Sequence, residues 1–94
     1  MAKGRFWADG EVVELNGNEY AFRSLTVAEL EGLVSESEGK PERELTAAII
    51  AASSDDGQLV DVTAEELEEW PVGVFQKVQR VVQRLNGLGA DPGN

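Results

Sequence analysis

Residues 11–24 read EVVELNGNEYAFRS, and this stretch decides the fold. Two runs rich in β-branched, aromatic and alternating residues flank Asn16 and Gly17, the pair that favours a type I′ turn with a left-handed backbone at both central positions. A two-residue loop sets the register, with Leu15 opposite Asn18 and Val13 opposite Tyr20. One face of the hairpin then carries Val13, Leu15, Tyr20 and Phe22. The other, with Val12, Glu14, Glu19 and Ala21, is more polar. An isolated two-stranded hairpin is marginal in water, so the apolar face requires helices against it.

Helical signals follow at once. Thr26 and Glu29 have capping-box spacing, and Val27, Leu30, Leu33 and Val34 recur at helical intervals, which predicts a first helix over about 27–36. A polar stretch over 35–40 ends it, and Pro41 suits the first turn of a second helix, where a missing N–H has no partner to lose. Leu45, Ala48, Ile49 and Ala52 line one face of that helix, and its many alanines favour close packing. Ser53 to Gly57 is a polar turn, and residues 59–62 suit either a short strand or an extended connection. Thr63 and Glu66 repeat the capping spacing and start a short helix through Trp70, where Pro71 disfavours continuation. The last helix, about 72–86, carries a broad stripe of Val74, Phe75, Val78, Val81, Val82 and Leu85, stopped by Asn86 and Gly87.

The expected architecture is α+β: an N-terminal β-hairpin packed against three or four α-helices in a single domain over 11–88. Residues 1–10 form an N-terminal arm and 89–94 a disordered tail. Ninety-four residues support one modest core, burying roughly 60–65 % of the surface the unfolded chain exposes. With no cysteine, neither a disulfide nor a thiolate metal site supports it. The start of the chain becomes acidic before an apolar leader develops, and no apolar run approaches a membrane span, so the reading is cytoplasmic.

Charge excludes further classes. The net charge of −10 repels nucleic acid and anionic lipid, so neither is expected as a partner. Its distribution is uneven: residues 1–71 hold five basic and seventeen acidic side chains, residues 72–94 three and one. Without histidine or cysteine the chain lacks the commonest general base, the strongest nucleophile and the usual transition-metal ligands, which predicts a protein that is not an enzyme and needs no cofactor. Glu65, Glu66, Glu68 and Glu69 read as a solvated helix face rather than an acid/base pair. Asp55, Asp56, Gly57 and Asp61 resemble a calcium loop faintly, but the alternating ligands and terminal Glu of an EF-hand are missing.

What remains is protein binding. Lys77, Arg80 and Arg84, spaced i, i+3, i+7, share one side of the last helix beside its apolar stripe, the only basic concentration in the chain. One reading is that they complement the helix dipole and the acidic surface of their own domain. The other makes Val74, Phe75, Lys77, Val78, Arg80, Val82 and Arg84 a partner-binding surface. Trp70 and Phe75 are read as core, and Phe6 and Trp7 suit either core or an interface.

At these residues the chain resembles a family. VVELNGNEYAFRSLTVAEL (12–30) is similar to the opening of tail assembly chaperones of long-tailed bacteriophages, where a hairpin with an NG-type turn leads through an R-x-LT step into a helix. AAIIAASSDDGQLVDVTAEELEEWPVGVFQKVQRVVQRLNGL (47–88) resembles their second half: an alanine-rich helix, a D-x-G turn, an acidic capped helix, a P-x-G-V step and a final helix ending in LNGL. Residues 1–10, with Phe6 and Trp7, match no motif of the family. The resemblance implies a non-enzymatic assembly factor that binds the tape measure protein and helps tail tube protein polymerise around it. It would act in the cytoplasm of the infected bacterium and be absent from the mature virion. Two alternatives stand beside it: a structural tail completion or connector protein retained in the particle, and an acidic adaptor with steeply salt-dependent binding. Self-association stays open.

Overall fold

A computed structural model of the chain describes residues 10–87, and within them the order of elements is β1 (Gly10–Leu15), β2 (Asn18–Arg23), α1 (Val27–Glu36), α2 (Glu42–Ser53), α3 (Ala64–Glu69) and α4 (Val72–Leu85). The fold is α+β, an antiparallel hairpin followed by four helices. Leu15 pairs with Asn18 and Val13 with Tyr20, as the turn chemistry predicts. Asn16 (φ 52°) and Gly17 (φ 88°) both take the left-handed conformation a type I′ turn demands. Gly10, expected in the arm, instead opens β1 opposite Arg23. Phe6, Trp7 and the tail over 89–94 lie outside the described residues.

The predicted apolar face of the hairpin is the one that packs. Leu15 and Phe22 are buried with Ala47, Ile50, Val62, Leu67, Val78, Val81 and Val82, and Val13 and Tyr20 pack at the margin. On the opposite face Val12 is exposed. β1 and β2 both contact α4, while α2 contacts α1, α3 and α4, so α2 and α4 form the centre of the domain.

Local capping explains where the helices begin. At α1 the capping box is complete: Thr26 Oγ1 accepts from Glu29 N at 3.1 Å, and Glu29 Oε1 accepts from Thr26 N at 2.9 Å. Arg23 forks onto the same Glu29 carboxylate at 3.1 and 3.2 Å and, more than any other group, holds it below the usual carboxyl range. At α3 only half of the box forms. Thr63 accepts from Glu66 N at 3.1 Å, but the Glu66 side chain accepts from Trp70 Nε1 at 3.2 Å instead. Trp70 is extended (ψ 144°) before Pro71, which separates α3 from α4.

Two expectations are corrected by tertiary packing. The buried face of α2 is Ala47, Ile50 and Ser53, and Leu45, Ala48, Ile49 and Ala52 are only half-buried. A single apolar stripe marks a helix packed on one side, whereas α2 is contacted by three helices. Residues 59–62, open to a short strand or an extended connection, form neither, because Val62 N donates to Leu59 O at 3.1 Å in a turn; strand-like pairing occurs earlier, where Ser54 bridges to Phe22. No residue of α1 is buried, and Val27 and Val34 stand exposed on it.

Candidate functional site

The surface singled out by charge lies along α4. Its inward side is anchored by Val78, which is completely buried, and by Val81 and Val82, so the sequence stripe is in the first place a core. Val78 and Val82 therefore offer no area to a partner while the domain is folded, which corrects their assignment to a binding surface. Val74 and Phe75 are half-buried and pack against the core from its rim.

All three basic residues stand exposed on α4, and two of them reach β1. Lys77 Nζ donates to the Glu14 carbonyl at 3.4 Å, and Arg84 pairs with Glu11. Two of the three thus meet the acidic strand of their own domain, and at such exposure each pair is worth at most about 1 kcal/mol. Arg80, between them, has no ion pair or hydrogen bond among the described residues.

Among the shallow hollows that border this helix, two meet at Trp70. One, of about 280 Å³, opens between α2, α3 and α4 and is lined by Leu67, Trp70, Val72 and Phe75 with Arg43, Glu68, Gln76 and Gln79. Arg43 and Glu68 pair across it at 3.1 Å. The other, about 200 Å³, lies near the hairpin turn between Leu15, Tyr20, Leu59, Trp70 and Val74. Trp70 lines both and is half-buried, with its indole N–H satisfied by Glu66. These are open, mixed-polarity depressions of the kind a side chain from another protein enters, and neither brings together an acid and a base positioned for proton transfer.

The acidic turn at 55–57 has a structural role that spacing did not disclose. Asp56 Oδ2 accepts from Ala21 N at 2.8 Å and Gln58 Nε2 at 2.8 Å, and its Oδ1 accepts from Gln58 N at 3.1 Å. Asp55 N donates to Ala21 O at 2.8 Å, and Gln58 Nε2 also reaches Glu19 O at 2.8 Å. The loop thereby closes the outer edge of β2. The carboxylate that resembled a calcium ligand is occupied by N–H donors, and among the described residues no group of three or more acidic, His or Cys side chains gathers to hold a metal.

These donors, Gln58's side chain foremost, hold the Asp56 carboxyl below its usual 3.8. A depressed carboxyl contributes stability that is complete above the ordinary value and disappears as pH falls through the folded-state value. Thermal melts followed by circular dichroism from neutral down to about pH 2.5 should therefore show Asp56→Asn starting less stable than wild type and losing less on acidification. Parallel curves would remove Asp56 from the acid response.

A second tie is Asn86, read from sequence only as a helix stop. Its Oδ1 accepts from Leu25 N at 2.6 Å, and its Nδ2 donates to Val82 O at 3.0 Å and to the buried Ser53 Oγ at 3.4 Å. One side chain thus joins the β2–α1 connection to the ends of α2 and α4. Leu25 belongs to the R-x-LT string and Asn86 to the LNGL string, so the two stretches that carry the resemblance meet here. No periodicity reports a partner 61 residues away.

No family model, curated protein or solved structure matches the chain. Among the described residues no helix is long and apolar enough to cross a membrane.

Proposed function

We propose that this chain is a non-enzymatic tail assembly chaperone of a long-tailed bacteriophage, one that binds the tape measure protein and promotes assembly of the tail tube protein around it in the host cytoplasm. The observation supporting the reading is the pair of family-like stretches over 12–30 and 47–88, which cover most of the chain. The acidic surface is in keeping with it, because a high negative charge keeps a chaperone and an aggregation-prone helical client in solution.

The client surface we assign is the exposed side of α4. With Val78 and Val82 in the core, its apolar area comes from the rims of Val74 and Phe75 and from the adjoining hollow at Trp70 and Val72. Lys77, Arg80 and Arg84 orient the client. The test is capture of co-expressed tape measure protein by wild type and by the Arg80→Glu, Arg84→Glu double variant, with circular dichroism confirming that both are folded. Each exposed reversal should change stability by under about 1 kcal/mol. Capture should fall by about tenfold or more if these charges face the client. Equal capture would move the client surface off α4.

A further inference from the structure

The two edges of the hairpin are not equivalent. Around a two-residue turn the pair Leu15 and Asn18 exchanges hydrogen bonds, and bonded pairs then alternate with pairs whose N–H and C=O groups point away from the hairpin. On β2 the outward residues are Glu19 and Ala21, and the loop over 54–58 takes the Ala21 N–H and both carbonyls. On β1 their cross-strand partners Glu14 and Val12 turn outward. Among the described residues, only the 3.4 Å contact from Lys77 to the Glu14 carbonyl engages that edge. Among the described residues one edge is covered, and the other is an available template for a further strand.

The side chains beside the open edge specify what would pair with it. On the solvent face Glu14 lies directly opposite Glu19, a like-charge pair that destabilises the hairpin, next to exposed Val12. On the inner face the edge borders the flank of α4, where Lys77 reaches the Glu14 carbonyl and Arg84 pairs with Glu11. An added strand alternates its side chains between these faces. Lysine or arginine on the outer side relieves the Glu14 and Glu19 repulsion, an apolar residue covers Val12, and an acidic residue on the inner side meets the Lys77 ammonium, which has no ion pair among the described residues.

The geometry points to the β1 edge as a strand-addition site for an extended segment of a partner protein, basic and apolar on one side and acidic on the other. Main-chain hydrogen bonds at Val12 and Glu14 supply the affinity, and the two charged faces supply register. A second copy of the chain is disfavoured as occupant by two net charges of −10 brought edge to edge. This inference stands independently of the phage reading.

The probe is a synthetic peptide in which lysine and valine alternate with aspartate and threonine, titrated into the full chain and followed by amide chemical shifts and hydrogen exchange. Shifts should concentrate at Val12 and Glu14, whose exchange should slow. Val12→Pro removes an outward N–H without touching a hairpin bond, and should weaken binding by about tenfold. Glu14→Lys should weaken binding of this peptide and strengthen that of a counterpart with glutamate for lysine, which carries the test if the proline variant does not fold. The proposal is overturned by shifts elsewhere or none at millimolar peptide, by a folded Val12→Pro variant that binds equally, or by a Glu14→Lys variant with unchanged preference. Concentration-dependent protection of both amides in the protein alone would give the edge to a second copy and overturn it as well.

Discussion

Phe22→Ala should remove a large share of the stability of this domain. Phe22 is 1 % exposed and is the largest of the fully buried side chains, at the contact between the hairpin and the helices. Truncating a buried Phe costs about 3–5 kcal/mol in lost transfer energy and residual cavity, and domains of this size are stable by only about 5–15 kcal/mol in total. The urea midpoint should fall accordingly, and a chain near the lower bound should be largely unfolded without denaturant. Val12→Ala is the internal control, because Val12 is 59 % exposed on the opposite face of the same hairpin and its truncation should cost under about 1 kcal/mol. Equal costs for the two would place Phe22 outside the core.

Asn86→Ala should have the second largest effect, out of proportion to a residue at a helix end. Its loss leaves the Leu25 N–H and the buried Ser53 hydroxyl without the partners they have now. Leaving a buried polar group unpaired costs about 1–3 kcal/mol; with Ser53 fully buried and the Leu25 N–H only half-buried, a total of about 2–4 kcal/mol is expected, against well under 1 kcal/mol for a simple C-cap. Asn86→Asp keeps the acceptor for Leu25 N–H but sets an oxygen against the Val82 carbonyl, and should fall between wild type and alanine. Chemical denaturation orders the three. An alanine variant as stable as wild type would mean that the three-way tie contributes nothing.

Much of the fold was legible because the signals were local. The hairpin register follows from the positive-φ demand of a turn that only residues such as Asn and Gly meet cheaply. The starts of α1 and α3 follow from Thr side chains at capping spacing, and the break at Trp70 from the clash that proline imposes on its predecessor. The candidate surface was less legible. The stripe on α4 was read as serving core and partner together, and periodicity has no means of dividing one apolar face between them. Val78 and Val82 went wholly to the core, while the hollow at Trp70 and Phe75 forms only because α2, α3 and α4 converge there.

By itself, then, the sequence determined the α+β class, the turn, the register, the order of helices and the acidic character with its inversion at residue 72. These depend on interactions within a few residues, or on composition. Only the tertiary structure decided which face of α2 is buried, that Asp56 closes the β2 edge, that Asn86 holds Leu25 and Ser53, and that no second strand pairs with β1 among the described residues. Each of those depends on groups from 33 to 61 positions apart in the chain, or on which neighbours surround an element. A hydrogen bond of that span leaves no period or spacing behind, because the intervening chain is free to vary in length and composition so long as the two ends meet.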